Sequence, residues 1–146
     1  MAASAFILYN RAIRKLGAGT ISLPGAVRIA LFGTGDYATS ATSLLTSISN
    51  EVTSGNGYSS SGKALATEAW TAGATPGQIK FDADDPIWTA TGGAINSIKA
   101  CVLFMSGATP HVLAWARLTS TEFNLASGNT LTLQFNSAGI FTAANG

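Results

Sequence analysis

Cysteine, histidine and charged residues are all scarce in this chain. The single Cys101 cannot form a disulfide within the chain, so stability must come from a hydrophobic core, and synthesis inside the cell is expected. Cys101 has apolar neighbours, which indicates a buried and unreactive thiol. The single His111 would have to serve any Ser-His-Asp or Cys-His device, and it lies after Pro110 in a predicted loop, where an exposed histidine is ordinary.

The low charge excludes several classes of partner. Charged residues are 10% of the chain and the net charge is +1, whereas about a quarter is usual and nucleic-acid binding needs a concentrated basic face. No apolar run approaches the roughly 20 residues of a membrane span. The basic residues near the N-terminus follow the apolar ones, the reverse of a secretory signal. We therefore expect a soluble protein made in the cytoplasm that docks against copies of itself or a partner, without nucleic acid or membrane.

The longest apolar run predicts a β-hairpin. Its strands are expected at Ile95–Met105 and Val112–Leu118, with a Gly/Pro loop at Ser106–His111. Both faces of the first strand are apolar, as in a strand covered on both sides. A helix is the competing interpretation, but Val102 and Phe104 favour a strand. The hairpin is the expected core of stability.

The whole chain, residues 1–146, is interpreted as a single, mainly β domain. Eight or so short strands separated by turns, such as Ser54–Gly57, predict an antiparallel β-sandwich with a jelly-roll-like arrangement.

One short N-terminal helix is predicted over residues 4–16. Ser4 would cap it, and Arg14 and Lys15 suit its C-terminal end. The apolar residues at helical spacing are Phe6, Tyr9, Ile13 and Leu16. This segment either packs on a sheet edge or forms an arm that contacts another subunit. The cluster Arg11, Arg14 and Lys15 is interpreted as a solvated face.

No residue is assigned as catalytic, cofactor-binding or metal-binding. The carboxylates of Asp82, Asp84 and Asp85 could suit calcium, but the remaining ligands of such a site are missing, and a capped turn is favoured. The glycine-rich loop around Gly57 lacks the helix start of a phosphate site. A sugar-binding platform would require exposed tryptophans, whereas Trp70, Trp88 and Trp115 are expected in the core. We expect a protein without enzymatic activity.

Three stretches resemble a group of small virion proteins of tailed bacteriophages, often encoded near the capsid genes. The first is a short helix followed by GAGTI and VRIALFG. The second is NEVTSGNGYSSSGKAL, residues 50–65. The third comprises FDADDPIW, KACVLFM and LAWARL, between residues 81 and 118. The sequence departs from the group at Ser61, where glycine is usual, and in its short loop after Pro110.

The resemblance implies a structural role in a virion and supplies no catalytic or ligand residues. The leading hypothesis is a capsid decoration (cement) protein that binds the major capsid protein and copies of itself. A trimer at three-fold positions of the assembled shell is favoured. The alternatives are a tail or neck component (tube, adaptor or fibre-base protein), a carbohydrate-binding module and, last, a hydrolase.

Overall fold

The computed structural model describes residues 1–144. Twelve strands and one α-helix lie in this range. The strands before residue 85 are β1 (Ile7–Leu8), β2 (Val27–Phe32), β3 (Lys63–Ala64), β4 (Ala69–Ala72) and β5 (Gln78–Asp82). The later strands are β6 (Ile87–Thr89), β7 (Ile95–Ile98), β8 (Ala100–Met105), β9 (Val112–Arg117), β10 (Phe123–Leu125), β11 (Thr130–Thr132) and β12 (Phe141–Ala144). The helix α1 spans Asn10–Gly17, and a single 3-10 turn spans Leu45–Ser47.

The strands form one large and three smaller sheets. The large sheet has the order β1-β9-β8-β2-β3, and a three-stranded sheet has the order β12-β5-β4. The remaining strands pair as β7 with β10 and β6 with β11, and every strand pairing is antiparallel. The buried side chains form one hydrophobic cluster. A mainly β, sandwich-like fold with one short helix is therefore confirmed.

The predicted hairpin is the centre of the large sheet. β8 pairs with β9 on one side and with β2 on the other, and its residues from Ala100 to Phe104 are buried. Because a central strand needs neighbours on both edges and cover on both faces, its apolar residues need no polar alternation. The hairpin prediction is confirmed.

One boundary of the hairpin was predicted wrongly, because residues 95–105 form two strands rather than one. β7 pairs with β10 in a different sheet from β8. β7 contains Ser97, whose φ is 58°, and the chain changes sheet at Lys99, whose N–H donates to the carbonyl of Phe32 at 2.8 Å. Continuous hydrophobicity gave no sign of this change of sheet.

The helix prediction is wrong over residues 4–9. Ser4 is not a helix cap, since its hydroxyl oxygen accepts the N–H of Arg117 at 3.0 Å. Ile7 and Leu8 pair with β9, and the helix begins only after Tyr9. Phe6, Ile7 and Tyr9 are aromatic or β-branched residues that suit an extended edge strand. Residues 1–9 are called the N-terminal arm below.

Candidate functional site

Residues 50–65, the second of the three stretches quoted above, hold the loop that follows β2 against that strand. The buried Tyr58 hydroxyl accepts the N–H of Leu31 at 3.0 Å and donates to Glu51 Oε1 at 2.9 Å. Glu51 Oε1 also accepts the N–H of Ser61 at 2.7 Å. Burial, with the nearby Glu51, raises the pKa of the Tyr58 phenol, so the hydroxyl remains a donor. These residues fasten a loop to β2.

Gly62 completes the same stretch by close packing. Its φ is +64°, and a Cβ atom at this position would lie 2.2 Å from the carbonyl oxygen of Ile29. Only glycine fits so near the backbone of β2. Within residues 50–65, the four residues Glu51, Tyr58, Ser61 and Gly62 therefore have structural roles.

The aspartates at residues 82–85 diverge instead of forming a common centre. Asp82 pairs with Lys80 at 2.9 Å, and Asp84 accepts the hydroxyl of Thr67 at 2.6 Å. Asp85 accepts the N–H of Phe135 at 2.8 Å. Within residues 1–144, no three His, Cys, Asp or Glu side chains lie together as a metal site would require. Asp84 and Asp85 therefore fasten two different segments, whereas Asp82 contacts its own strand, β5.

A polar cavity of about 550 Å³ lies between the loop after β2 and the loop before β7, and Glu122 stands at its wall. Glu122 Oε1 accepts the N–H of Thr34 at 2.5 Å, and this bond holds the pKa of the carboxyl below its usual range. Asp36, on the same loop as Thr34, accepts the N–H and hydroxyl of Ser49 at 2.8 and 2.9 Å, which lowers its pKa also. Both carboxylates are committed to loop contacts.

Every acidic side chain of the protein accepts a hydrogen bond from another group of the chain. Each of the seven accepts at least one hydrogen bond from an N–H, hydroxyl or ammonium group of the chain. They are Asp36, Glu51, Glu68, Asp82, Asp84, Asp85 and Glu122. Most of these bonds hold a loop to another part of the chain, whereas Asp82 bonds to Lys80 on its own strand and to the adjacent Ala83.

The structure separates Cys101 from His111. Cys101 is fully buried in β8, and burial raises the pKa of its thiol, which opposes formation of a nucleophilic thiolate. His111 is half-buried rather than exposed, and its Nδ1 atom lies 2.7 Å from Nζ of Lys15. The structure therefore brings His111 to helix α1, away from any acid or thiol partner within residues 1–144.

The three tryptophans lie in three different surroundings. Trp88 is buried, as expected, whereas Trp70 and Trp115 are half-buried. Trp70 packs edge-on against Phe81, with ring centroids 5.5 Å apart, and Trp115 packs against Tyr37 at the same separation. They extend the core to the surface at separate places.

Two neighbouring cavities lie alongside the N-terminal arm. At one end the arm is tied to the chain before β12, because Ala2 forms a parallel bridge with Gln134 and the N–H of Gln134 donates to Met1 at 2.8 Å. Beyond this tie, two cavities of about 240 and 630 Å³ separate the arm and α1 from β12, and both contact Phe141 and Thr142. We call these two cavities the edge cleft, which is lined by residues 3–6, 8, 13, 16, 19, 21–23, 70, 79, 136 and 138–143.

The lining of the edge cleft is mainly apolar, with a few uncharged polar side chains such as Ser22 and Asn136, and contains no charged residue within the part of the chain that the structure describes. Ile13 of α1 and Ile79 of β5 border it and are 53% and 48% exposed. Ile79 continues a buried aromatic cluster, since Phe81, two residues along β5, stacks on Phe141 with centroids 5.1 Å apart. The apolar inner face of the three-stranded sheet thus extends into solvent.

Two open strand edges border this cleft. β12 is at the edge of the three-stranded sheet, and β1 is at the edge of the five-stranded sheet. Neither strand carries a charge or a proline, the features that usually protect an edge from pairing with another chain. An apolar cleft beside unprotected strand edges is suited to docking another polypeptide.

A basic surface lies apart from the edge cleft. Arg11, Arg14 and Lys15 surround a separate cavity of about 330 Å³ with Ala18. Within residues 1–144, the pair of Lys80 and Asp82 is the one salt bridge, so these three cations are not neutralised by a carboxylate contact. Arg11 and Arg14 are exposed, as expected of a solvated face, whereas Lys15 is half-buried and its Nζ atom lies against His111.

Comparisons with protein-family profiles, with curated protein sequences and with solved structures found no match. Among residues 1–144, no helix has the length and apolar composition needed to cross a membrane.

Sequence reasoning missed the edge cleft. Its residues come from the arm, α1, β4, β5 and β12, which are distant along the chain. The available signal was weak: the alternation of Ile79 and Phe81 predicts one apolar face on β5. The sequence does not show that the Ile79 end of this face is exposed and the Phe81 end is buried, because that depends on how the sheets pack against each other.

Proposed function

We propose that this protein is a structural component of a tailed-bacteriophage virion, and specifically a capsid decoration protein. It is made in the host cytoplasm, associates as a symmetric homo-oligomer and binds the major capsid protein on the assembled outer shell. Three sequence stretches support the virion role through their resemblance to small phage proteins. The partners of this role are proteins, and it requires no cofactor or catalytic residue.

The edge cleft is the observation that carries the proposal. It offers two exposed isoleucines and a lining without charge, next to the open edge of β12. Interfaces between proteins are depleted of charge at their centres, as this surface is. The hydrogen bonds that all seven acids accept from within the chain also favour a structural role over hydrolysis.

Stabilisation of a shell would follow from mass action. A protein that binds the assembled shell but not its dissociated subunits stabilises the shell by about 2.7 kcal/mol per site when its free concentration is a hundredfold above Kd. An oligomer that contacts several capsid subunits at once adds avidity, because later contacts become intramolecular. Many individually weak apolar contacts are sufficient for this mechanism.

The test uses capsids purified without this protein. Added protein should sediment with mature, expanded shells at a fixed ratio to the capsid subunits. Shells that carry the protein should withstand higher temperature and greater osmotic shock than bare shells. The control is the unexpanded precursor shell, which should bind less. Saturating protein that leaves both the sedimentation and the breakage of shells unchanged contradicts the proposal.

A tail or neck component is the second candidate. The open edges of β1 and β12 belong to two different sheets, and pairing between unlike edges would generate a head-to-tail ring. Copy number in purified particles separates the two functions. A number comparable to that of the capsid subunits supports decoration, and a number that suffices for a single ring supports the tail or neck.

A further inference from the structure

We propose that Asn56 is a modification site, at which the backbone nitrogen of Gly57 attacks the side-chain amide in a non-enzymatic deamidation that the fold holds back. The restraint consists of contacts between the turn at Gly55–Tyr58 and the loop before β7. This reaction belongs to the chain itself and does not depend on the proposed function.

The sequence supplies both reacting groups. Asn56 is followed by glycine, which has no side chain to shield its backbone nitrogen from the asparagine amide. Asn56 is exposed, so water reaches it. A second Asn-Gly pair, Asn145-Gly146, lies outside the described residues. Within residues 1–144, Asn56 is therefore the asparagine whose sequence most favours this chemistry.

The reaction needs no co-reactant other than water. The Gly57 nitrogen forms a bond to Cγ of Asn56 and gives up its proton, while the Cγ–Nδ2 bond breaks and ammonia leaves. Water then opens the resulting cyclic imide at one of its carbonyl carbons. Opening at Cγ gives aspartate, and opening at the main-chain carbonyl gives isoaspartate, in which the backbone runs through the side chain.

The structure fixes both groups that the attack must move. Asn56 and Gly57 are the central residues of a two-residue turn, with φ values of 54° and 93°. Nδ2 of Asn56 donates to the carbonyl of Ala94 at 2.8 Å, and the main-chain carbonyl of Asn56 accepts the N–H of Thr91 at 3.0 Å. Ring closure rotates the side chain away from Ala94 and the peptide group away from Thr91. Deamidation therefore requires a local opening of the turn.

Gly93 is the seat of the Asn56 side chain. A Cβ atom at residue 93 would lie 2.8 Å from both Nδ2 and Oδ1 of Asn56, and the φ of Gly93 is not in the left-handed region. A methyl group at this position would displace the Asn56 amide from the Ala94 carbonyl without straining the backbone. Gly93→Ala thus removes the side-chain restraint and leaves both reacting residues unchanged.

The product cannot restore the contact. An ionised carboxylate at residue 56 has no N–H for the Ala94 carbonyl, and it adds a charge to a cavity wall that already includes Glu51 and Glu122. Isoaspartate also lengthens the main chain within the turn, so the reciprocal bonds between Gly55 and Tyr58 lose their match. Deamidation therefore releases from each other the two loops that enclose the polar cavity.

Peptide mapping by mass spectrometry follows residue 56 during incubation in mildly alkaline buffer, and distinguishes it from Asn145. In unfolding concentrations of urea, the wild type and Gly93→Ala should deamidate at the same rate, because both keep the Asn-Gly pair. The folded wild type should react at least roughly tenfold more slowly than the unfolded chain, because several hydrogen bonds must open first. Folded Gly93→Ala should react about two- to tenfold faster than the folded wild type, as expected for one lost hydrogen bond.

Two further variants serve as controls. Gly17→Ala makes the same substitution where a Cβ has no neighbour within 4 Å, and it should react like the wild type. Asn56→Asp has no ammonia to lose at residue 56 and represents one product. Its amides at residues 91–94 should exchange hydrogen for deuterium faster than those of the wild type, whereas amides at residues 100–104 should be unchanged.

A folded wild type that deamidates as fast as the unfolded chain overturns the inference, and so does a folded Gly93→Ala that reacts no faster than the wild type. Thermal melting shows whether Gly93→Ala is folded. If it is not, Asn56→Asp decides: faster exchange confined to residues 91–94 and the facing turn supports the restraint, and exchange like that of the wild type overturns it.

Discussion

The hydroxyl of Tyr58 donates a hydrogen bond of 2.9 Å to the carboxylate of Glu51. The same hydroxyl oxygen accepts the N–H of Leu31 in β2. One buried phenol therefore satisfies a main-chain donor of a central strand and positions the carboxylate that holds the adjacent loop.

Replacing this phenol tests the structural interpretation of residues 50–65. Tyr58→Phe should lower the free energy of unfolding by about 1–3 kcal/mol, because the buried N–H of Leu31 would lose its partner. Glu51→Gln is the control, since its amide oxygen can still accept the hydroxyl, and its effect should be smaller. Urea denaturation measures both. A Tyr58→Phe variant as stable as the wild type would show that the Leu31 bond contributes nothing.

A pair of glycines separates close packing from backbone strain. Gly62 and Gly92 have φ values of +64° and +77°, but a Cβ at Gly92 would have no neighbour within 4 Å. Gly92→Ala should cost only the left-handed strain, about 1–2 kcal/mol. Gly62→Ala should cost several kcal/mol more, because its methyl group meets the Ile29 carbonyl. Equal melting temperatures of the two variants would contradict the close approach.

The hairpin core should respond strongly to truncation. Phe104 is 2% exposed, so Phe104→Ala should lower the free energy of unfolding by about 3–5 kcal/mol through lost burial and a cavity. Ile79→Ala, at a site 48% exposed, should change the stability of the monomer by roughly 0.5 kcal/mol or less. Chemical denaturation at low protein concentration checks both, and a Phe104→Ala variant that melts with the wild type would disprove the burial.

Acid should loosen the loops around Asp36 and Glu122. Both carboxyls have folded-state pKa values below their usual range, chiefly because backbone N–H groups bond to the ionised form. Their contribution to stability is therefore present above the ordinary carboxyl pKa and is lost as the pH falls through the lowered folded values. The free energy of unfolding should decline over this acidic range.

The matched variant for this pH dependence is the double change Asp36→Asn and Glu122→Gln. It removes both titrating groups, so its stability should fall less steeply with acid than that of the wild type. Urea unfolding at a series of pH values measures the two slopes. Identical slopes would mean that these two carboxylates do not contribute to acid sensitivity.

The sequence predicted the parts of the fold that depend on local pattern. The hairpin from Ile95 to Leu118 is confirmed because its apolar runs end at strong turn residues. The turn predicted at Ser54–Gly57 lies one residue later, at Gly55–Tyr58, with reciprocal backbone bonds of 2.8 and 3.0 Å, because Asn56 and Gly57 tolerate positive φ.

The errors occur where a local pattern has two solutions. Phe6 and Tyr9 fit the spacing of a helix, yet they lie in an extended arm that pairs with β9. The strand break at Lys99 and the edge cleft both arise from contacts between distant segments. Neither hydrophobic periodicity nor turn chemistry carries that information, so the candidate docking surface became visible only in three dimensions.

The junction between two sheets at Lys99 has a mechanical consequence. β7 belongs to one sheet and β8 to another, and a single residue of continuous chain joins them. Lys99 is fixed on both sides, since its N–H bonds to Phe32 and its carbonyl accepts the N–H of Leu118 at 2.8 Å. A tensile load applied to the β7–β10 pair is therefore transmitted through a covalent bond to the central strand of the large sheet. Sliding these two sheets past each other would therefore pull on β8, which is hydrogen-bonded to a strand on each edge.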